Sequence, residues 1–358
     1  MKLGFGLYKQ MLDDEHFAFA RQAGATHIVA HLTDYFNKGE DENRTDQPVG
    51  DQEMGWGIAK KEEVWPYETL ISLKKRLAKH GLKLEALENI NPVFWHDILL
   101  DGPKRDEQVE NVKQLVRNMG KAGIPILGYY FSLAGVAGRI RGRFARGGAV
   151  AVGMEGKSEV IDTPIPRGMV WNMIYDSSQI QPGDIIEPIS RQELIRRHRD
   201  FLNEILPVAE ESGVQLAMHP DDPPLKEIRK QPRLGYQPDH FKEIIKTSES
   251  PNHVMELCLG TIAEMASGDI YETVEHFAKR DEIGYIHFRN VRNRVPYYKE
   301  TFVDEGDIDM ARIVQILRKH DYRGMIIPDH APQMSCEAPW HAGMAFSMGY
   351  IKALLQYF

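Results

Sequence analysis

Apolar positions along the chain fall into short β-rich runs, each followed by a helix-length stretch whose apolar residues recur at three- and four-residue spacing. LGFGLY (3–8) leads into a helix from Asp13 to Ala23, and THIVAHL (26–32) follows. WPYETLISLKKRLAKHG (65–81) opens with Pro66 in its first turn and stops at Gly81, the usual asymmetry of helix ends, before the strand KLEALEN (83–89). A helix over about 104–119 precedes PILGYYF (125–131). Ser190 and Glu193 form a capping box that starts the next helix, and Gly213 ends it just before VQLAMHP (214–220). HVMELCLG (253–260), IGYIHFRN (283–290) and RGMIIPDH (323–330) complete the strands, with helices near 238–247, 268–279 and 307–319 between them and a last helix through SMGYIKALLQYF. Strands that alternate with helices pair in parallel through right-handed crossovers, and a count of eight predicts an α/β fold, a (β/α)₈ TIM barrel, as a single domain over 1–358. A doubly wound open sheet fits less well, because no G-x-G-x-x-G follows an early strand. Two connections, about 33–64 after the second strand and about 132–189 after the fourth, are too long for ordinary turns. Both lie on the strand-to-helix side, where they are expected to cap a site.

Charge narrows the function classes. Lysine and arginine number 44 against 52 acids, a net charge of −8, which argues against a nucleic-acid binder or a protein of anionic membrane surfaces. No run approaches the ~18 apolar residues of a membrane span, the start MKLGFGLYKQMLDDEHF has no leader-like apolar region, and Cys258 and Cys336 are the only cysteines. A cytoplasmic protein acting on a small molecule is expected.

The last four strands end on His219, Cys258, His287 and Asp329, spaced by 39, 29 and 42 positions, about one strand-helix unit each. That spacing carries all four to one rim. Any one of them has a plain structural reading, since free cysteines and strand-end histidines are commonly buried and hydrogen-bonded. Together, two imidazoles, a thiolate and a carboxylate make a shell for a divalent transition metal, with Zn²⁺ or Fe²⁺ suited to the N and S donors and Mn²⁺ tolerated by the carboxylate. Glu256, two residues before Cys258, points to the same side of its strand and reads either as an outer acid that orients a ligand or as a polar plug. Arg289 and Asn290 follow His287 directly; arginine clamps a carboxylate through two nitrogens, while an ordinary salt bridge is the plainer alternative. GRIRGRFARGG (138–148) mixes four arginines with glycines, a pattern expected of a mobile lid that meets an anion. Cys336 reads as an ordinary loop thiol.

In these strand ends and their flanking motifs the chain resembles the mannonate dehydratases. The likeness rests on HPDDPP around His219, ELCLG around Cys258, IHFRNV around His287 and PDH at Asp329, and it covers nearly the whole chain in element order. The resemblance implies a barrel whose counterparts of His219, Cys258, His287 and Asp329 hold Mn²⁺ or Fe²⁺, and a tendency to homo-oligomers. It also implies loss of water from D-mannonate to give 2-keto-3-deoxy-D-gluconate, with His330 beside Asp329 in proton transfer. Asp222 and Arg289, with Asn290, are then candidates for the substrate's hydroxyls and carboxylate. Two departures stand out. The family's catalytic tyrosine has no counterpart before Tyr350, which falls in the final helix and reads as packing, and the first strand FGLYKQML lacks the family's tryptophan. His341 and Tyr8 are candidates to substitute. A sugar isomerase or epimerase on a related barrel is the alternative, although Cys258 is unexpected there, and a barrel that binds a metal or sugar acid without turnover is the third reading.

Overall fold

In the structure, a computed structural model that describes residues 1–36, 47–50, 52–60 and 62–357, the expected strands close into a parallel barrel. Strands one to eight are Lys2–Leu7, His27–Ala30, Lys83–Glu88, Ile126–Tyr129, Gln215–Met218, His253–Cys258, Ile283–His287 and Met325–Ile327. Each pairs with its neighbours in sequence, and the first closes on the eighth through Lys2↔Met325 and Leu3↔Ile326. Val29, Ala86, Ile126, Ala217, Val254, Tyr285, Met325 and Ile327, drawn from strands two to eight, pack into one buried cluster, as the filled interior of a small barrel requires.

The helices form where the apolar stripe placed them. Leu70, Leu73 and Leu77 are the buried face of Tyr67–Lys79, and Ser190 accepts from the Glu193 amide at the start of Arg191–Ser212. Pro92–Leu100 is a helix outside the expected set. Its sequence, PVFWHDILL, is apolar on nearly every side and carries no stripe to read. Helix Pro339–Tyr357 begins earlier than SMGYIKALLQYF suggests, and Tyr350 packs half-buried against the core.

The two long connections are built together. The first lies partly outside the described residues, which omit 37–46, 51 and 61. Its Gly57–Ile58 pairs in parallel with Met173–Ile174 of the second, which also pairs with Met169–Val170. Trp171 and Asn172 adopt positive φ (54° and 57°) and are held by the second connection's own backbone: the Trp171 amide donates to Leu133 O at 2.6 Å and Asn172 Nδ2 to Val136 O at 2.6 Å. The Trp56 amide donates to Asn172 O at 2.9 Å, tying the first connection to the same pair. The arginine-glycine stretch forms a hairpin, Ile140–Ala145 with Ala149–Gly153, in a sheet completed by Lys299–Glu300 and Val291–Arg292 from the loop after strand seven. Of its arginines, Arg146 pairs with Asp304 at 3.0 Å on the surface, whereas Arg139 is buried.

Candidate active site

A cavity opens at the C-terminal mouth of the barrel, where barrel enzymes keep their chemistry. His219 and His287 line it and the buried Cys258 meets them from behind, each of the three offering one ligand atom, and these atoms lie within 4.8 Å of one another. Strand pairing sets this up, because Cys258 stands directly beside His287 in the register. His219 Nδ1 lies 2.6 Å from Pro220 O and donates there, which leaves Nε2 as the free donor atom. Cys258 Sγ accepts from Thr261 Oγ1 at 3.1 Å and from Arg289 Nη2 at 3.3 Å. Burial alone raises a thiol, yet the Arg289 guanidinium, with His219 and His287, holds Cys258 well below its ordinary value, which favours the thiolate. Burial lowers His219, but Cys258 and Glu256 outweigh it and raise the imidazole to about 9.

A second layer lies beneath. His287 Nε2 is 3.2 Å from Glu256 Oε1 and 3.3 Å from Glu88 Oε2, and Tyr285 donates to Glu88 Oε2 at 3.0 Å. Burial and then Glu88 push Glu256 up to about 8. Burial also opposes the Glu88 charge, but the imidazoles of His31 and His287 bring it down to about 2. One carboxylate is therefore charged and its neighbour protonated at neutral pH. Glu256 Oε1 also lies 4.0 Å from His219 Nε2. Glu88, at the end of strand three, was not singled out in the sequence, although a glutamate closing the run KLEALE is the same kind of signal as His219.

The donor set suits a divalent ion. Besides the three convergent atoms, Asp222 Oδ1 is buried without a hydrogen-bond partner, a costly state for an anionic oxygen unless a cation or a ligand meets it. Asp329 is in the cavity wall with its backbone at φ 59°. Its Oδ2 is 3.5 Å from His287 Nδ1 and 3.3 Å from Arg289 Nε, and its Oδ1 is 3.2 Å from His330 Nε2. It borders the three convergent donors without belonging to that tight group. His330 also lines the cavity, with Nδ1 3.4 Å from Glu300 Oε1.

The remaining expected residues divide. Asp222 and Tyr8 line the cavity, whereas the preceding Asp221 turns into the loop, where it takes Arg233 Nε at 2.8 Å and the Gly235 amide. Arg289 is not in the cavity wall: its guanidinium is spent on Asp222 at 3.1 Å, Thr261 at 2.9 Å, Cys258 and Glu300. Asn290 donates to Val303 O and Ile308 O at 3.0 Å each, and accepts from the Val291 and Ile308 amides, so it pins the following loop. His341 sits on the final helix against Phe19, His16 and Trp340, away from the cavity. The cation that does reach the cavity is Arg139, from the arginine-glycine stretch, 3.5 Å from Asp222 Oδ2. Two tryptophans of the long connections, Trp56 and Trp171, line the cavity. His31, Tyr35, Asn89 and Tyr130 complete the polar and aromatic wall.

The fold and floor define the class: this is a xylose-isomerase-like TIM barrel with a possible metal-binding group at its C-terminal mouth. The chain superimposes on a xylose isomerase domain protein from Planctomyces limnophilus over 99% of its length with a TM-score of 0.55, at 13% identity, a likeness of fold alone. Within that class, a family model described as D-mannonate dehydratase (UxuA) matches residues 1–356, and the chain belongs to this family of hydro-lyases. A mannonate dehydratase from Geobacillus thermodenitrificans is 31% identical over 287 residues, covering 75% of this chain and 76% of the relative. One from Thermotoga maritima is 29% identical over 291 residues, covering 75% and 78%. The crystal structure of mannonate dehydratase from Streptococcus suis serotype 2 matches 99% of this chain and 93% of its own with a TM-score of 0.75 and 26% identity. Among the described residues no helix is long and apolar enough to cross a membrane.

Proposed function

We propose that this protein is a metal-dependent dehydratase that converts D-mannonate to 2-keto-3-deoxy-D-gluconate and water. The observation that carries the reading is the convergence of His219, Cys258 and His287 at a cavity that also holds the unpartnered Asp222 Oδ1, in a chain of this family. His219, Cys258 and His287 would hold Mn²⁺ or Fe²⁺, with Asp329 as the fourth ligand. When bound, the ion supplies positive charge against which negative charge on a 2-hydroxy acid can develop as the C2 proton leaves.

The protein's own groups supply the rest. Arg139 is the guanidinium in the cavity wall and takes the substrate carboxylate, the role expected of Arg289 from sequence. Asp222 is fixed through Oδ2 by Arg289 and offers Oδ1 to a substrate hydroxyl. His330, held between the carboxylates of Asp329 and Glu300, gives a proton to the departing C3 hydroxyl. Trp56 and Trp171 close the wall and limit water. Incubation with D-mannonate and Mn²⁺ or Fe²⁺ should yield the 2-keto-3-deoxy acid, followed by periodate–thiobarbiturate colour. Product from another hexonate but none from D-mannonate would keep the chemistry and discard the substrate; interconversion of ketoses without dehydration would favour the isomerase reading instead.

A further inference from the structure

A third chain of polar groups reaches the same cavity from strands two and three. Tyr35 Oη lies 3.0 Å from His31 Nδ1 and 3.0 Å from Asn89 Nδ2, and His31 Nε2 lies 3.7 Å from Glu88 Oε1. All four residues line the cavity. We propose that Tyr35 is a catalytic residue, the general base that takes the C2 proton, with His31 and Glu88 as its relay; this rests on the dehydratase reading above.

Donor and acceptor chemistry sets the direction of the chain. An amide nitrogen only donates, so Tyr35 Oη accepts from Asn89. In the tautomer we assign, the proton is on His31 Nε2, which faces the Glu88 carboxylate at 3.7 Å, and Nδ1 presents its lone pair to the phenol. In that tautomer Tyr35 donates its single proton to His31, the arrangement that activates a hydroxyl as a base when a carboxylate behind the imidazole stabilises the positive charge it takes up. Burial lowers His31 from its ordinary value, against the pull of the Glu88 carboxylate. Asn89 sits at φ 67°, an uncommon backbone conformation that the end of strand three sustains, and its amide also stabilises the phenolate as it forms. The Tyr8 ring packs 4.9 Å from His31 and 5.9 Å from Tyr35, covering the relay.

The step balances within the protein. The C2–H bond breaks, its proton passes to Tyr35 Oη, and the phenolic proton moves to His31 Nδ1. The C–H electron pair becomes the C2–C3 double bond while the C3–O bond breaks, and the hydroxyl leaves as water with the proton from His330. On ketonisation C3 takes a proton back from Tyr35, which is refilled from His31, and the enol hydroxyl returns its proton to His330.

The test compares D-mannonate with its 3-deoxy-3-fluoro analogue, whose fluoride leaves without a proton. Tyr35→Phe should lose about 10²- to 10⁴-fold in kcat with KM little changed, on both substrates alike. His330→Asn should lose activity on D-mannonate and recover on the fluoro compound. His31→Gln, which keeps a polar group but passes no proton, should lose kcat as Tyr35→Phe does and flatten the acid limb of the pH profile. Recovery of Tyr35→Phe on the fluoro compound, or its full activity on D-mannonate beside an active wild type, overturns the base assignment alone. Full activity of His31→Gln overturns the relay. A wild type that dehydrates no hexonate overturns the dehydratase reading and this inference together.

Discussion

Cys258 shows how little at this site belongs to one residue. Its thiolate exists because Arg289 and two imidazoles surround it, and Arg289 is in turn fixed by Asp222 and Glu300. Removing a donor should therefore remove the ion rather than loosen it. The purified protein is expected to carry about one Mn²⁺ or Fe²⁺ per chain, and His219→Ala and Cys258→Ala to carry none by elemental analysis. Full occupancy in both variants would sink the assignment of the donors. Arg139→Ala should raise KM for D-mannonate by about 10- to 100-fold, the loss of one charge-assisted contact, with a smaller effect on kcat. An unchanged KM would return the carboxylate to another partner. At this scale the sequence was readable where strand ends dictated direction: His219, Cys258 and His287 share a floor because consecutive parallel strands end at one rim. It failed one or two residues further on. Nothing local distinguishes Asn290, which turns into its own loop, from Asp222, which turns to the cavity. Arg289, expected in the cavity, is spent on Asp222, Thr261, Cys258 and Glu300 while Arg139 lines the cavity, since a side chain beyond a strand end follows tertiary partners that periodicity does not encode.

Elements with enough length to repeat were legible, and elements without it were not. The barrel strands and the amphipathic helices carry several residues per face, whereas the strands Gly57–Ile58, Met169–Val170 and Met173–Ile174 have two residues each and cannot show alternation. The cap they build depends on close backbone approach instead. A Cβ on Gly135, itself at φ +64°, would lie 2.7 Å from the Trp171 carbonyl carbon. Gly213 has the same φ, +64°, but nothing within 4 Å of the added atom. Gly213→Ala should thus cost only the backbone term, about 1 kcal/mol, while Gly135→Ala adds a clash with main chain for about 2–4 kcal/mol in all and displaces the Trp171 indole from the cavity. Denaturant unfolding of the two variants checks the difference. Equal losses would mean that the cap yields without strain, and the tryptophan's place would then be set by something other than these contacts.

At the scale of the whole molecule, acid sensitivity should follow from a buried trio outside the cavity. Tyr129 of strand four places its hydroxyl 2.9 Å from His198 Nε2 on helix Arg191–Ser212 and 3.0 Å from His253 Nε2 at the start of strand six. Strand, helix and strand are thereby joined through two imidazoles, at least one of them neutral, because a phenol bridges them by donating to one and accepting from the other. Burial brings His253 down to about 4, and burial with the neighbouring His253 holds His198 well below its usual range. The unfolded chain takes up protons on both near pH 6.5, while the native state refuses them until about pH 4 or lower. The unfolded state therefore binds more protons in this window, so stability is complete above about pH 6.5 and declines as pH falls toward 4, on the order of 3 kcal/mol from His253 alone. The raised imidazole of His219 has the opposite sign: its contribution is present below about 6.5 and is lost as pH rises toward 9. Comparing variants isolates the trio from it. His253→Asn should be less stable than wild type at pH 7.5 yet show a shallower loss of unfolding free energy between pH 6.5 and 4.5, measured by urea titration at each pH. Parallel slopes for the two proteins would place the acid sensitivity elsewhere, in the carboxylates held low at the barrel mouth by their cationic neighbours.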